Sequence, residues 1–306
     1  MKQFILRRLG YSLLSLFLLS LTIFFFVRVT GDPATLLVEP GASDADIAAI
    51  HHQFGLDRPL VVQYGLFMYS LLQGDLGQSF YYQTPVFELY LSRLPNSLLL
   101  AAVAMAFSLV VGIPSGILAA VRVGHFWDSA GKMFALLGLS LPSFFVGLLL
   151  ILFFSVYLGW LPSSGSGTVW HLIMPAFALG WYFAAAHMRL TRSSMLEVLG
   201  SEYIKLARLK GLPQVLVIAK HAFKNALIPV ITLAGINLVL MINVAAVVEV
   251  VFAWPGIGRL LYEGISFRDF PVVQGVVILG GAMIVGANLL VDIAYAVIDP
   301  RIRLET

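Results

Sequence analysis

The chain has 306 residues, of which 59% are hydrophobic and only 11% are charged. Because an ordinary soluble domain carries about 25% charged residues, this composition excludes a soluble globular fold and favours a protein that crosses the membrane several times. Cysteine is absent, which excludes disulfides and thiolate metal sites. The net charge of +3 says little by itself, but the distribution of the charges along the chain is informative.

Apolar runs long enough to cross a hydrocarbon core of about 30 Å recur along the chain. Each run is predicted to be a helix, because the membrane offers no water to bond an open backbone. The first run follows basic residues but precedes no cleavage site for signal peptidase, so it is interpreted as an anchor. The predicted fold is an all-α polytopic membrane protein with six transmembrane helices, at residues 9–27, 97–121, 133–157, 170–188, 226–251 and 272–298.

These spans divide the chain into three predicted parts. Residues 1–29 form an N-terminal transmembrane anchor, 30–95 an extracytoplasmic loop region, and 96–300 a five-helix core that contains the inner loop 189–225. Within the outer region, one short helix is predicted from Ser43 through Ile50 and a second from Pro59 toward Gly74.

The positive charges predict the orientation of the spans. Fourteen of the 19 Lys and Arg residues fall on the side that holds both termini and the inner loop, and five fall on the other side. Both termini and the inner loop are therefore predicted to be cytoplasmic. An odd number of spans would place Arg301 and Arg303 outside, so the same asymmetry supports six spans.

The inner loop carries strong helix signals outside the spans. Ser201 can cap a helix that has Glu202 in its first turn and Lys210 in its last turn, both favourable to the helix dipole. Gly211 supplies the left-handed position after the helix, and Pro213 prevents its continuation.

Tyr203, Leu206 and Ala207 share one face of this helix, and a second helix is predicted from Pro213 through Asn225. From the pattern alone, a helix that rests on lipid headgroups is an equally good interpretation.

The inner loop reads Glu202-Tyr-Ile-Lys-Leu-Ala-Arg-Leu-Lys-Gly-Leu212 and then Lys220-His-Ala-Phe-Lys-Asn-Ala-Leu-Ile-Pro229. This pattern resembles the cytoplasmic loop of the binding-protein-dependent ABC permeases of the peptide type. Leu209 departs from the usual alanine of that family. Other matches follow in order along nearly the whole chain, at Thr30-Gly-Asp-Pro33, Phe54 to Leu60, Gly74 to Ser79, Glu249 to Gly258 and Asp299-Pro-Arg301.

The resemblance implies the type I fold of ABC importers and a permease subunit that takes up dipeptides, oligopeptides or related small solutes through the bacterial inner membrane. The short inner helix would dock in a groove of an ATPase subunit. Arg208 and Lys210 would face the acidic rim of that partner, and Tyr203 and Ala207 would pack against it. The implied coupling residues are Glu202, Tyr203, Ala207, Arg208, Lys210 and Gly211.

The implied partners are a second related permease chain in a heterodimer, two ATPase subunits or domains, an extracytoplasmic solute-binding protein and membrane lipid, with no nucleic acid. ATP and Mg²⁺ are expected on the ATPase partners, and no cofactor, metal or catalytic residue is expected in this chain. The nearest approach to a phosphate loop, Gly124 to Met133, has the wrong glycine spacing and lacks the required Ser or Thr. It is interpreted as a tight cytoplasmic turn between spans two and three.

Glu249 and Asp292 are the only carboxylates placed within or at the edges of the predicted spans, and such groups are functional candidates. Together with Trp254 they are the candidates for the pathway or the outer gate. Glu249 can line the gate, pair with Arg259 or contact the docked binding protein, and structural pairing is an equal alternative. For Asp292, a buried partner on a neighbouring helix is the preferred interpretation.

Gly112 and Gly116 form a small-xxx-small motif, for which packing within the chain is preferred over a dimer contact. None of the six histidines is expected to bind a metal. A secondary transporter is the alternative function, although the span cores lack the paired ionisable residues that it needs. Nothing in the spans separates a peptide from glutathione or a nickel chelate as the solute.

Overall fold

The computed structural model describes residues 2–30 and 57–298, together with the isolated residues 43, 45 and 52. Within this part of the chain the structure is helical, apart from turns and one isolated bridge between Gln78 and Pro85. The helix predicted from Ser43 through Ile50 lies almost wholly outside the described residues.

The helices of the described residues are numbered here in chain order. They are α1 Lys2–Thr30, α2 Leu60–Leu72, α3 Val86–Val121, α4 Phe126–Ser140, α5 Ser143–Leu150, α6 Val169–Leu199, α7 Glu202–Leu209, α8 Phe223–Val251, α9 Ile257–Ser266 and α10 Phe270–Ile298. Wider π-type turns continue two of them: Ile151–Tyr157 extends α5, and Val217–Ala222 joins the short helical turn Gln214–Leu216 to α8. The second helix predicted in the inner loop is therefore confirmed, and it runs without a break into the fifth span.

Five helices among the described residues are long and apolar enough to cross a membrane: Arg7–Val29, Val86–Val121, Val169–Leu199, Gln214–Val251 and Phe270–Leu289. The third predicted span, 133–157, is not a single helix, because α4 and the extended α5 meet at an angle of 104°. The break falls at Leu141, which takes an extended conformation as residues before a proline prefer. The broken pair provides the sixth span when both halves are counted together.

The predicted turn from Gly124 to Met133 is also corrected. Only the residues from Arg122 to His125 form a turn, and α4 begins at Phe126, so Lys132 and Met133 are helical. The turn ends early because Asp128, in the first turn of α4, accepts the backbone N–H of Gly124 (3.1 Å).

Contacts divide the chain into two units, and residues 96–259 form one of them. Its core lies between α3, α6 and α8 and includes Leu100, Leu179, Phe183, Met241 and Val248. A Cβ at Gly112 or Gly116 would lie 2.6 Å from the backbone oxygen of Ala184 or Met188, so these glycines let α3 and α6 touch. The small-xxx-small motif therefore packs within the chain, as predicted.

Residues 1–95 and 260–306 form the other unit, in which α1 packs against α10. The segment between α2 and α3 is held by Asp269, whose carboxylate accepts the hydroxyl of Ser79 (2.5 Å) and the N–H of Tyr81 (3.0 Å). Tyr82 donates its hydroxyl to Glu263 (2.7 Å). Partial burial, followed by this hydrogen bond, raises the pKa of Tyr82 to about 12, so the phenol stays protonated at neutral pH.

Candidate functional site

The helix α7, Glu202–Leu209, forms where the sequence predicts it, and Ser201 occupies the N-cap position. The predicted side-chain cap is wrong, because the Ser201 hydroxyl donates to the carbonyl of Val198 (2.6 Å), at the end of α6. Glu202 instead pairs with Lys205 (2.7 Å) on the exposed surface. Ser201 therefore fastens α7 to α6, and it does not satisfy the first N–H groups of α7.

Gly211 ends this helix in the left-handed conformation, with φ +76°, as predicted. Its N–H donates to the carbonyl of Arg208 (3.0 Å), and the N–H of Leu212 donates to that of Ala207 (3.4 Å). A Cβ on Gly211 would meet no atom within 4 Å. Glycine is therefore favoured here by its backbone conformation and not by lack of space.

The inner face of α7 is built into the chain itself. Ile204 is fully buried and Ala207 is 8% exposed, in a cluster with Met195 of α6 and with Val217 and Ala222 of the next helix. The expectation that Ala207 packs against a partner is therefore corrected. The 3.6-residue period places Ala207 close to Tyr203, but the boundary between the two faces passes between them.

The outer face of α7 is apolar and basic. Leu206 is 53% exposed, Leu209 is 84% exposed, and Arg208 and Lys210 are exposed beside them. Tyr203 is partly exposed, and its hydroxyl accepts the amide of Asn225 (2.8 Å). Leu209 was noted in the sequence only as a departure from the family pattern, yet it is the most exposed apolar side chain of α7.

A buried carboxylate that the sequence interpretation overlooked links α4 to α6. Asp128 accepts Arg192 Nε (2.7 Å) and Lys132 Nζ (2.9 Å), and its own side chain is only 1% exposed. The sequence predicts a tight turn from Gly124 to Met133 before the third span, and Asp128 falls within that predicted turn. Lys132 at the i+4 position was the available local signal, but the partner on α6 is 64 residues away.

Glu249, a gate candidate, lies fully buried near the end of α8. Its carboxylate accepts the hydroxyl of Ser97 (2.6 Å) and the backbone N–H groups of Gly258 (2.8 Å) and Arg259 (3.2 Å). A Cβ at Gly256 would collide with this carboxylate, so the loop approaches Glu249 only because glycine stands there. Glu249 thus holds the start of α9 to the end of α8.

Trp254, the neighbouring candidate, is 4% exposed and donates its indole N–H to the carbonyl of Asn96 (3.0 Å). Asn96 in turn donates its amide to the carbonyl of Pro255 (2.9 Å). The Arg259 guanidinium donates to the carbonyl of Ala253. The side chains of Glu249 and Trp254 are both buried within the chain. Their contacts therefore fit a structural role.

Asp292, the third candidate, lies on α10, but its side chain is outside the described residues. A different polar side chain is fully buried among the helices, namely that of His187 on α6. Its Nε2 accepts the amide of Asn237 (3.3 Å), and its Nδ1 lies 3.3 Å from the hydroxyl of Ser108. The hydroxyl donates to the carbonyl of Met105 (2.8 Å), so a neutral ring protonated at Nδ1 satisfies the whole chain of bonds.

The described residues include no group of three or more His, Cys, Asp or Glu side chains that could hold a metal. The long apolar helices define a polytopic membrane protein, in which the amphipathic helix α7 joins two of the spans.

The chain belongs to the family of the binding-protein-dependent transport system inner membrane components. The model of that family matches residues 112–304, and the model of the N-terminal part of such membrane components matches residues 1–101.

Relatives with a named function match the whole length of the chain. It is 40% identical over 306 residues to the glutathione transport system permease protein GsiC of Salmonella choleraesuis (strain SC-B67), with 100% of both chains covered. It is also 40% identical over 314 residues to a putative peptide transport system permease protein of Brucella abortus (strain 2308), again with 100% of both covered.

Solved structures show the same fold. The MetNI methionine ABC transporter in an inward-facing conformation matches with a TM-score of 0.56 and 21% identity, over 69% of this chain and 96% of that one. An amino acid ABC transporter with histidines matches with a TM-score of 0.55 and 15% identity, over 68% and 92%.

The protein is therefore a permease subunit of a binding-protein-dependent ABC importer, with multiple spans in the inner membrane. The alternative of a secondary transporter is excluded. A subunit of this family works with ATPase subunits and a binding protein.

Proposed function

We propose that this subunit forms half of a pathway for dipeptides, oligopeptides or a related small solute such as glutathione. The support for this substrate class is the function given for relatives that match the chain from end to end, of which one is a glutathione permease and another a putative peptide permease. Glutathione is itself a small peptide, so a pathway suited to one class suits the other. The binding protein selects among them.

The observation that carries the coupling role is the open face of α7. Leu206 and Leu209 stand exposed beside Arg208 and Lys210, while the opposite face is buried in the chain. Burying a leucine side chain fully is worth about 1.5–3 kcal/mol, so these two residues favour a partner with an apolar groove. The two basic residues favour an acidic rim on the same partner.

The buried face of α7 would carry the movement of the ATPase into the spans. Ser201 fastens α7 to the end of α6, and Ile204 and Ala207 pack on the residues that lead into α8. Arg192, two turns before the end of α6, is tied to Asp128 of α4. A displacement of α7 therefore reaches the ends of three helices, as expected of packed elements with two discrete arrangements.

In the proposed assembly, a second related permease chain completes the pathway as a heterodimer. Two ATPase subunits hold the ATP and the Mg²⁺, and this chain supplies no catalytic residue, cofactor or metal. The binding protein docks outside, and the outer segment 30–95 contributes part of its docking surface. Both termini and α7 lie in the cytoplasm of a bacterium, in accord with the distribution of Lys and Arg.

The proposal is tested with the assembled importer in lipid nanodiscs, by measuring how strongly the binding protein stimulates ATP hydrolysis. We expect stimulation by binding protein loaded with a dipeptide, an oligopeptide or glutathione, and little by the empty protein. Leu209→Ser should reduce that stimulation, whereas Val169→Ser, at a similarly exposed apolar position on α6 far from α7, should not. ATP hydrolysis that none of the loaded binding proteins stimulates would contradict the proposed substrate class. Equal effects of the two variants would contradict the coupling role of α7.

A further inference from the structure

The helix α2 has the composition of a membrane segment, although it has only 13 residues. Its sequence, LVVQYGLFMYSLL, contains no charged side chain, while Asp57 and Arg58 precede it and Asp75 follows it. A helix of a solvated loop is expected to carry a polar face opposite its buried face. The helix α2 has no such face.

The buried side of α2 lies against the membrane span of α1. The hydroxyl groups of Tyr64 and Ser20 are 2.9 Å apart, and the Phe24 ring packs edge-on against that of Tyr64, with the centroids 5.1 Å apart. Near the start of α2, Gln63 accepts Arg28 Nε (3.0 Å). These contacts place α2 across the last third of α1.

The contacts with α1 also give the depth of α2. The apolar span of α1 ends at Val29. At 1.5 Å per residue, Phe24 and Ser20 lie about 7 and 13 Å along the helix from that end. The residues after α2 return to the boundary, because a Cβ on Gly77 would lie 3.6 Å from Pro271 at the start of α10. The middle of α2 therefore lies deeper along the membrane span of α1 than the residues that precede and follow α2.

The opposite side of α2 is open and apolar. Val61 is 84% exposed and Leu72 is 82% exposed, and Leu66 and Tyr69 are exposed between them. Full burial of such an aliphatic side chain contributes about 1.5–3 kcal/mol of free energy, and this contribution is lost when the side chain stays in water. The surface continues onto α1, where Phe26 is 60% exposed within the span itself.

We propose that α2 is an interfacial membrane helix that binds lipid through Val61, Leu66, Tyr69 and Leu72. It lies in the leaflet at the C-terminal end of α1, at the depth set by the contacts of Tyr64 with Ser20 and Phe24. Lipid is favoured over a protein partner because the face continues that of a membrane span and offers no charge for recognition. Tyr69 suits the boundary, where tyrosine is enriched.

The proposed binding of lipid by α2 is independent of which solute is transported and of the coupling role of α7. It adds to the prediction of an extracytoplasmic loop region at residues 30–95, because one short helix of that region then lies in the leaflet. The helix α2 would instead fix the tilt and depth of α1, because it is bound both to that span and to the leaflet.

The test uses the natural absence of cysteine from this chain, so an introduced cysteine is the only one in it and labelling is read out on this chain after the subunits are separated. Leu66→Cys and Leu72→Cys report on the proposed lipid face, and Asp57→Cys, at an exposed charged position before α2, is the matched control. The assembled importer is placed in phosphatidylcholine nanodiscs without binding protein and treated with a membrane-impermeant maleimide. We expect Leu66→Cys and Leu72→Cys each to react at least tenfold more slowly than Asp57→Cys.

A second measurement identifies what protects the cysteine. A bimane label at position 66, attached in detergent before reconstitution, should be quenched by spin-labelled phosphatidylcholine, whereas a label at position 57 should not. Retained ATP hydrolysis shows that each variant is folded. Rapid labelling at position 66 would overturn the proposal by placing α2 in water. Protection without quenching by lipid would also overturn it, because another protein segment would then cover α2.

Discussion

Replacement of Gly211 separates backbone strain from charge at the end of α7. Its φ of +76° lies in the left-handed region, and a Cβ added at this position would meet no other atom within 4 Å. Gly211→Ala therefore costs only the strain of a left-handed alanine, about 1–2 kcal/mol. Gly211→Asn costs less, because asparagine tolerates this region, and Gly211→Asp adds a negative charge to nearly the same shape.

These magnitudes predict an order of activities for the three variants. A strain of about 1–2 kcal/mol changes the population ratio of the correctly folded turn by about 5–30-fold, so Gly211→Ala should lose at most that factor in uptake. Gly211→Asn should transport nearly as well as the natural protein. Gly211→Asp should abolish transport, because its carboxylate stands beside Arg208 and Lys210 and opposes the acidic rim proposed for the partner.

The assay is solute uptake into proteoliposomes that contain the complete importer, with the amount of inserted permease measured in the same vesicles. All three variants should insert equally, because position 211 lies outside the spans. Normal uptake by Gly211→Asp would refute the coupling role of α7. Equal loss in Gly211→Asp and Gly211→Asn would show that charge is not the cause.

Two further variants test the buried carboxylates. Asp128→Asn keeps the size of the side chain but removes the charge that holds Arg192 and Lys132, so the melting temperature of the purified subunit should fall and ATP hydrolysis should depend less on the binding protein. The double variant Asp128→Arg with Arg192→Asp should regain part of both, and a double variant no better than either single change would contradict the pairing. Glu249→Gln keeps only one acceptor oxygen, so either the hydroxyl of Ser97 or the N–H groups of Gly258 and Arg259 lose their acceptor, which should cost about 1–3 kcal/mol for each unsatisfied group. An unchanged melting temperature would show that Glu249 does not hold the start of α9.

Features decided by neighbouring residues were predictable from the sequence. The bounds of α7 follow from Glu202, Gly211 and Pro213, which act within one turn of the helix. The start of α2 after Pro59 and the long apolar spans follow in the same way. Each depends on local backbone chemistry or on the thickness of the membrane.

Features decided by distant partners were not predictable. The pairing of Asp128 with Arg192 joins residues 64 positions apart, and no local pattern marks it. Ser201 has the sequence of a cap, but the nearby carbonyl of Val198 takes its hydroxyl. The helical period could not decide whether Ala207 faces inward, because that depends on where α6 and α8 lie.

The bend between α4 and α5 lies between these two cases. Pro142 was visible in the sequence, and a proline can either kink a span or break it. The extended conformation of Leu141 turns the kink into a break of 104°. The composition of the segment is the same in both cases, so length and hydropathy predicted one continuous span.

The central claim is that the open face of α7 contacts the ATPase. It is tested most directly by site-specific photo-crosslinking in the assembled importer, with a benzophenone attached to the single cysteine of this chain at position 209 or position 169. Leu209→Cys lies on the open face and should crosslink to the ATPase, whereas Val169→Cys, which is also exposed but lies at the other end of α6, should not. Equal crosslinking of the two positions to the ATPase, or none from position 209, would contradict the account.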